Sequence, residues 1–118
     1  MKYPLIALMF LSLALHAEIR KEYYPDGQIE IEENYENGVR HGPAKSYFES
    51  GKLEAEMHYV NGKREGETKS YYENGQLESV VSYRDGRRDG MLRSYYPDGR
   101  LESEILFKKG APVRTPKK

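Results

Sequence analysis

Apolar and polar residues alternate with a period of two in several short stretches of this chain. One of them runs from Leu53 to Tyr59, with acidic residues or His58 at every second position. Its apolar side is formed by Leu53, Ala55, Met57 and Tyr59. A period of two is typical of a β-strand with one buried face. The same alternation recurs in stretches that begin at Ile29, Leu77 and Leu101, which predicts four such strands.

These stretches belong to a repeat of 24 residues. The segments YYPDGQIE, YFESGKLE, YYENGQLE and YYPDGRLE begin at Tyr23, Tyr47, Tyr71 and Tyr95. A partner strand is predicted at KSYF, KSYY and RSYY, which are residues 45–48, 69–72 and 93–96. A repeat of this length indicates one supersecondary unit that buries its apolar surface only by packing on its neighbours. No part of the chain after residue 17 shows the three-to-four spacing of a helix.

Glycines mark the ends of the predicted strands. One set of turns is expected at Asp26-Gly27, Ser50-Gly51, Asn74-Gly75 and Asp98-Gly99, and a second at Asn37-Gly38, Asn61-Gly62 and Asp85-Gly86. Asn-Gly and Asp-Gly favour tight hairpins because both residues tolerate positive φ. Gly42, Gly66 and Gly90 indicate bulges or a close backbone approach. The predicted fold is all-β, an elongated single sheet of antiparallel β-hairpins.

The first 17 residues differ in character from the repeats. Lys2 precedes an apolar stretch from Leu5 to Leu15, and the chain becomes charged at Glu18. A charged start, a short apolar stretch and a small residue at its exit are typical of a secretory signal peptide. We therefore expect residues 1–17 to be a cleaved signal peptide, residues 18–110 to be the repeat array and residues 111–118 to be a basic flexible tail. An uncleaved membrane anchor is the less favoured alternative.

Composition narrows the function. The chain has 19 basic and 19 acidic residues, interleaved along the repeats, so nucleic acid is not an expected partner. There is no cysteine, which excludes disulfides and thiolate metal sites. The sequence is rich in tyrosine, with 11 residues, and has no tryptophan. Tyrosine suits a thin sheet, because its ring packs while its hydroxyl reaches water.

The segment YENGVRHG, from Tyr35 to Gly42, resembles the core of the MORN repeat, and YVNGKREG and YRDGRRDG look like the same unit. The YYxxGxLE half is similar to a MORN-variant repeat of bacterial proteins, some of them small and exported and some described as antitoxin-like. The resemblance implies an array of β-hairpins that makes protein contacts, self-associates or associates with membranes. YYPDGRLE is also similar to the YD repeat of large secreted shells, which lacks the NGxxxG segment and ranks second.

The repeated polar positions are the candidate binding residues. A basic stripe is formed by Lys45, Lys69 and Arg93, which Arg40, Arg64 and Arg88 are expected to join. An acidic stripe is expected opposite it, at Glu30, Glu54, Glu78 and Glu102. The rings of Tyr23, Tyr47, Tyr71 and Tyr95 form a row that could present flat surfaces to a partner. Ion pairs across the strands and stacking of the rings are the structural interpretation of the same residues.

No catalytic residue and no metal ligand is expected. Ser46, Ser70 and Ser94 recur in equivalent surroundings, which favours a structural role over that of a single nucleophile. His41 and His58 have no repeated carboxylate beside them, so a metal site is not expected. We predict no cofactor and no enzymatic activity. Function is expected where the copies differ, at His41, His58, Val80 and Leu106.

The sequence thus favours an exported, non-enzymatic repeat protein that binds or scaffolds another protein. One alternative is a module that associates with the membrane or the cell wall through lipid or glycan. Another is an antitoxin or immunity protein that binds a toxin. Self-association through the edge strands is a further expectation, because an open edge pairs readily with another chain.

Overall fold

A computed structural model of the protein describes residues 16–114. Within that range the regular structure is all β-strand. The strands are β1 (Ala17–Tyr23), β2 (Ile29–Glu36), β3 (Val39–Tyr47), β4 (Leu53–Val60), β5 (Lys63–Arg64), β6 (Gly66–Tyr71), β7 (Leu77–Arg84), β8 (Arg87–Arg88), β9 (Gly90–Tyr95), β10 (Leu101–Lys108) and β11 (Ala111–Pro112). No helix that could cross a membrane occurs among these residues.

All eleven strands belong to one antiparallel sheet. The order across it is β1-β2-β3-β4-β6-β7-β9-β10-β11, while β5 pairs with β4 and β8 pairs with β7. Apart from the short strands β5 and β8, each strand therefore lies beside the next one in the chain, as a succession of hairpins requires. β5 and β6 both pair with β4, and β8 and β9 both pair with β7. This confirms the predicted all-β, single-sheet hairpin array. Residues 1–15 of the expected signal peptide lie outside the described residues. Its last residue, Ala17, is the first residue of β1 and pairs with Glu36.

Two kinds of turn alternate along the sheet. In the first kind, Asn37 and Gly38 have φ of 51° and 80°, the two positive values that a two-residue hairpin loop needs. In the second kind, the amide of Tyr24 donates to the carbonyl of Gln28 at 2.8 Å, and Gly27 has φ of 93°. That is a three-residue loop with glycine at its left-handed position. Both predicted sets of turns are confirmed.

A bulge in each long strand changes which side chains share a face. Ser46 pairs with Ala55, but the next residue, Tyr47, pairs with Leu53, so Glu54 is left over. Directly paired residues point to the same face of a sheet. Leu53 therefore lies on the face of Tyr47 and not on that of Ala55. The expectation that Leu53 shares a side with Ala55, Met57 and Tyr59 is wrong for Leu53, because the bulge breaks the period of two.

A second, wider bulge lies at the glycines that follow the Asn-Gly turns. In the first copy Asn34 alone faces the three residues 41–43, since its neighbours Glu33 and Tyr35 pair with Ala44 and Arg40. The Asn34 side-chain amide donates to the carbonyl of Pro43 at 2.8 Å. Gly42, Gly66 and Gly90 each have positive φ, of 112°, 84° and 118°. The bulge that the sequence indicated is thus present.

The apolar surface is buried on one face only. The molecule measures 15 Å along its thinnest direction, so there is no second layer to cover the sheet. The buried apolar side chains among the described residues are Ala44, Tyr59, Val81 and Phe107. Tyr59 and Phe107 pair with Gly42 and Gly90, whose missing side chains leave room beside the rings.

Arginines lie between the aromatic rings of this face. Arg64 pairs across the strands with Tyr59, and its guanidinium lies 5.1 Å from the centre of the Tyr83 ring in the next copy. Arg40 lies 5.3 Å from the Tyr59 ring and Arg88 lies 5.2 Å from the Phe107 ring. Each arginine thus connects two successive repeats through a cation–π contact. We call this the aromatic–arginine face.

The expectation that Arg40, Arg64 and Arg88 join the basic stripe of Lys45 is therefore wrong. Each of these arginines pairs directly with an aromatic residue. It lies five residues before Lys45, Lys69 or Arg93, and this odd spacing puts the two cations on opposite faces. The contacts also act on the tyrosines. Partial burial alone would raise the pKa of Tyr83, but the hydrogen bonds from Arg88 and Arg64 outweigh it and hold this pKa below its ordinary value.

The segment expected as a flexible tail begins with a strand. Ala111 and Pro112 form β11 and pair with Lys108 and Phe107. The amide of Val113 then donates to the carbonyl of Leu106 at 2.7 Å. The first three residues of segment 111–118 thus continue the sheet, and residues 115–118 lie outside the described part of the chain.

Candidate functional site: a face of tyrosines and cations

The seven predicted binding residues lie on the face opposite the aromatic–arginine face. Lys45, Lys69 and Arg93 each precede a tyrosine of the predicted row by two residues in the same strand, so cation and ring point to the same side. Tyr23 stands in the same relation to Lys21 on β1. The structure therefore brings Lys45, Lys69, Arg93, Tyr23, Tyr47, Tyr71 and Tyr95 together on one surface, which we call the tyrosine–cation face.

The cations of this face belong to a row that crosses the whole sheet. Each member pairs directly with the next, from β1 to β10. The row reads Lys21, Glu32, Lys45, Glu56, Lys69, Val80, Arg93 and Glu104. We call it the charged row. Neighbouring members are about 4.8 Å apart, the spacing of hydrogen-bonded strands.

The carboxylates of this row are not the ones that the sequence indicated. Lys45 faces Glu32 and Glu56, whereas Glu54 accepts a hydrogen bond from the Ser46 hydroxyl at 3.2 Å. Ser46 belongs to the aromatic–arginine face, because it pairs with Ala55. The expected acidic stripe of Glu30, Glu54, Glu78 and Glu102 therefore does not face the basic stripe. These four glutamates occupy the narrow bulges, whose position the alternation alone does not reveal.

Contacts along the charged row differ from copy to copy. Arg93 Nε lies 2.8 Å from Glu104 Oε2, and Lys21 Nζ lies 3.7 Å from Glu32 Oε2. Glu56 instead accepts a hydrogen bond from the Tyr71 hydroxyl at 2.9 Å. Burial of that hydroxyl, together with the adjacent carboxylate, raises the pKa of Tyr71. The ring of Tyr71 is thus held over the row.

The alternation of charge is interrupted at Val80. The first two copies place Glu32 and Glu56 between two cations, whereas in the third copy Val80 lies between Lys69 and Arg93. Lys69 and Arg93 are therefore about 9.6 Å apart along the row, twice the strand spacing, with no carboxylate between them. The carboxylate nearest to Lys69 Nζ among the described residues is Glu67, at 4.0 Å. This part of the face combines two cations with no carboxylate between them, an apolar side chain and the rings of Tyr71 and Tyr95.

Two further tyrosines support the row of rings from the other face. The hydroxyl of Tyr24 donates to the carbonyl of Tyr47 at 2.6 Å, and that of Tyr72 donates to the carbonyl of Tyr95 at 2.7 Å. Burial, and then the nearby Glu30, raises the pKa of Tyr24; burial and then Glu78 act in the same direction on the pKa of Tyr72. Tyr24 and Tyr72 are not among the predicted binding residues. The signal that could have found them is the second aromatic residue at the start of each copy, which is tyrosine in three copies and Phe48 in the other.

His41, at which the copies differ, has a structural role. Its Nδ1 accepts a hydrogen bond from the amide of Asn61 at 3.1 Å, in the turn of the next copy. The same position is Glu65 in the second copy and Asp89 in the third, and these carboxylates accept from the amides of Asp85 and Lys109. His58 is exposed on β4. Among residues 16–114, no group of three or more side chains is arranged to hold a metal ion.

The family model described as MORN repeat variant matches this chain four times. The matches cover residues 19–37, 40–61, 64–85 and 88–109. Together they account for most of the chain, which therefore belongs to the MORN repeat variant family. The last three matches begin 24 residues apart, the period of the tyrosines, but at a different point of the repeat. MORN repeats are generally modules that bind proteins or membranes.

The comparisons with curated proteins and solved structures give no further information on function. A search of curated proteins gave no match. One similar solved structure is described as "Crystal Structure of TarM", with 9% identity, a TM-score of 0.41 and coverage of 95% of this chain and 24% of that one. Another is described as "Crystal structure of GtfA/B complex bound to UDP and GlcNAc", with 14% identity, a TM-score of 0.40 and coverage of 79% and 24%. The chain thus spans about a quarter of the length of each, and similarity at this level indicates nothing about function.

Proposed function

We propose that the protein is exported and acts outside the cytoplasm as a non-enzymatic module that binds an acidic segment of another protein. The proposed binding surface is the part of the tyrosine–cation face around Val80. The observation that carries the proposal is the interrupted charged row, in which Lys69 and Arg93 flank an apolar side chain. The family supports a binding role in general, and the charged start and apolar stretch of residues 1–17 support export.

The electrostatics of the surface favour an acidic partner. Elsewhere in the row a glutamate lies between successive cations, as Glu32 does between Lys21 and Lys45. At Val80 one glutamate is missing between two cations. A carboxylate of a partner that lies over Val80 would be near Lys69 on one side and Arg93 on the other. Such charge complementarity contributes mainly to specificity and to the rate of association.

The rings beside this position add apolar contact. Tyr71 and Tyr95 are half-buried, and their backbones or hydroxyls are held by Tyr72 and Glu56. Ordered rings lose little conformational entropy when a partner binds, which is why tyrosine is enriched at recognition surfaces. We therefore expect the rings to supply most of the buried area and the cations to supply the selectivity.

A substitution that places a glutamate at position 80 tests the proposal. Val80→Glu would complete the alternation of the row and place a carboxylate where the partner's acidic group is proposed to lie. We expect recovery of the partner, crosslinked in the native envelope and quantified after pull-down, to fall at least about tenfold, near the lower end of the effects measured for close charge pairs. Val80→Gln is the matched control, since it adds a similar side chain without charge and should retain most of the binding.

Two results would contradict the proposal. The first is equal recovery of the partner by the wild type and by folded Val80→Glu protein. The second is unchanged recovery by a folded variant in which Tyr47, Tyr71 and Tyr95 are all replaced by serine. Sedimentation with liposomes or purified cell wall, with no protein partner recovered, would instead favour the envelope-binding alternative.

A further inference from the structure

The sheet ends in two open edges that are unlike each other. At one end, the outer edge of β1 has no neighbour among the described residues. At the other end, β11 covers β10 only at Phe107 and Lys108, with one further hydrogen bond to Leu106. Among residues 16–114, no strand pairs with the outer edge of β10 from Leu101 to Ile105. Such an open edge is a template for another strand.

The repeat specifies which kind of strand fits beside β10. β7, the equivalent of β10 in the preceding copy, has β6 on one side and β9 on the other. β10 has β9 on its inner side, but no strand of the β9 kind on its outer side. β1 is a strand of that kind, because Lys21 and Tyr23 take the repeat positions of Arg93 and Tyr95. Successive strands alternate in direction, so a β1 placed outside β10 would also be antiparallel to it.

We propose that the protein associates head to tail with a second copy of itself, with β1 of one copy pairing with the outer edge of β10 of the other. The register follows from the pairing of β7 with β9, in which Ser79 and Val80 face Ser94 and Arg93. Transferred to the new contact, Ser103 faces Glu22 of the second copy and Glu104 faces Lys21 of the second copy. The two edges differ, so the contact is heterologous and can continue from copy to copy.

Charge complementarity indicates that the strand beside the outer edge of β10 comes from a second copy of this chain. The charged row begins with a cation, Lys21, and ends with an anion, Glu104. Joining the end of one row to the start of another therefore continues the alternation without placing like charges opposite each other. Opposite charges directly across a ladder stabilise strand pairing, and like charges destabilise it.

The hydroxyl group of Tyr96, beside the outer edge of β10, supports the same register. Tyr24 and Tyr72 donate to the carbonyl 23 residues further along the chain, in the next copy. Tyr96 takes their position in the last described copy, and its side chain is 40% exposed. No corresponding strand follows within the described residues. In the proposed register the carbonyl of Tyr23 in the second copy would take that place, and the Tyr96 hydroxyl would donate to it.

The contact depends on the export that we propose above. His16 and Ala17 take the same repeat position as Pro112 and Val113, four copies apart. A second copy that retains His16 and Ala17 would therefore place them where β11 and Val113 of the first copy already lie. Removal of residues 1–17 leaves Glu18 as the first residue, at the repeat position of Arg114, the last described residue. Processing would thus remove the overlap with β11 and Val113.

Sedimentation velocity over a wide concentration range tests the contact. The chain that begins at Glu18, the form proposed to exist after export, is expected to form species that grow with concentration. The full 118-residue chain is expected to form smaller species at the same concentrations. A chain from Glu18 that stays monomeric throughout would overturn the proposal, and equal association of both forms would overturn the overlap at His16 and Ala17.

Charge reversal separates this contact from other modes of association. Lys21→Glu and Glu104→Lys are each expected to weaken association about 3- to 10-fold, because a favourable pair is replaced by a repulsive one. An equimolar mixture of the two single variants should associate more tightly than either alone. In the mixture, the contact between the two substituted positions again joins a carboxylate to an ammonium group, with the two charges exchanged. Failure of the mixture to recover would reject the register.

Two further variants distinguish weaker association from lower stability of the single copy. Tyr96→Phe removes the proposed intermolecular hydrogen bond and should weaken association without lowering the stability of the single copy. Tyr72→Phe is its matched control, because that hydroxyl bonds within the chain, and it should lower stability while association of the folded protein persists. The partner-binding variants at Val80 lie away from both edges. Loss of assembly with partner binding intact, or the reverse, thus shows which proposal fails.

Discussion

At the scale of single residues, the two kinds of repeated polar position have different roles. The lysines that precede the row tyrosines lie on an open face, whereas Arg40, Arg64 and Arg88 lie between aromatic rings. Sequence patterns treat both as basic residues at a 24-residue step. The distinction arises because the two positions are five residues apart and so lie on opposite faces, and the arginine pairs with a ring. A cation–π contact of this exposed kind contributes about 0.5–1 kcal/mol.

The glycines of the wide bulge provide a prediction at this scale. A Cβ at Gly42 would lie 3.2 Å from Cβ of Asn34, whereas one at Gly66 would have no atom within 4 Å. Both have positive φ, which costs an alanine about 1 kcal/mol or more. We expect Gly42→Ala to lower the free energy of unfolding by about 1 kcal/mol more than Gly66→Ala does, because only the former adds a clash. Urea denaturation measures both, and equal losses would show that the contact with Asn34 relaxes freely.

At the scale of the element, each turn is held by the copy before it. His41, Glu65 and Asp89 differ in chemistry but accept a hydrogen bond from the same turn amide. Turn glycines are held in the same way, as the amide of Gly62 donates to the carbonyl of Arg40 at 2.8 Å. The turns therefore belong to the contact between repeats as much as to their own hairpin.

Exchanging the acceptor at position 41 tests this interpretation. His41→Ala leaves the Asn61 amide without its acceptor, and we expect a loss of about 0.5–1.5 kcal/mol, the net value of one hydrogen bond. His41→Asp supplies the carboxylate that the third copy uses and should retain most of the stability. The free energy of unfolding from urea titration distinguishes the two. If both variants lose the same amount, the hydrogen bond is not what His41 contributes.

At the scale of the whole molecule, the protein is a one-layer array in which each repeat contacts only its neighbours. Stability in such an array is approximately a sum over repeats and their interfaces. The charged row, the aromatic–arginine face and the turn contacts all run across the strands. They therefore connect one copy to the next and depend on the register being the same in each.

Deleting one complete copy tests this additivity. Removal of residues 49–72 joins Phe48 to Glu73 and keeps the period and the direction of every strand. We expect the shortened protein to fold with the same strand content per residue, and its urea m-value to fall by about one fifth, in proportion to the surface lost. Removal of residues 49–60 is the control, because it takes away half a copy and leaves strands in the wrong direction. Equal folding of both deletions would contradict the repeat as the unit of stability.

Much of the fold could be predicted because it is encoded locally. The strands follow from alternation within a few residues, and a turn such as Asn37-Gly38 follows from the φ values that its own residues allow. The candidate site could be predicted in part for the same reason. Lys69 and Tyr71 are two residues apart in one strand, so their common face needs no knowledge of the neighbouring strands.

The sequence by itself determined the period, the strands, the turns and the common face of the row tyrosines with their cations. Only the tertiary structure decided that Lys45 faces Glu56 and not Glu54, that Arg64 lies between rings, and that Val80 separates Lys69 from Arg93. The physical reason is that each of these depends on the pairing between strands, which the narrow bulge of each copy shifts by one residue. A bulge is a property of the pairing between two strands, and a shift of one residue moves every side chain beyond it to the other face.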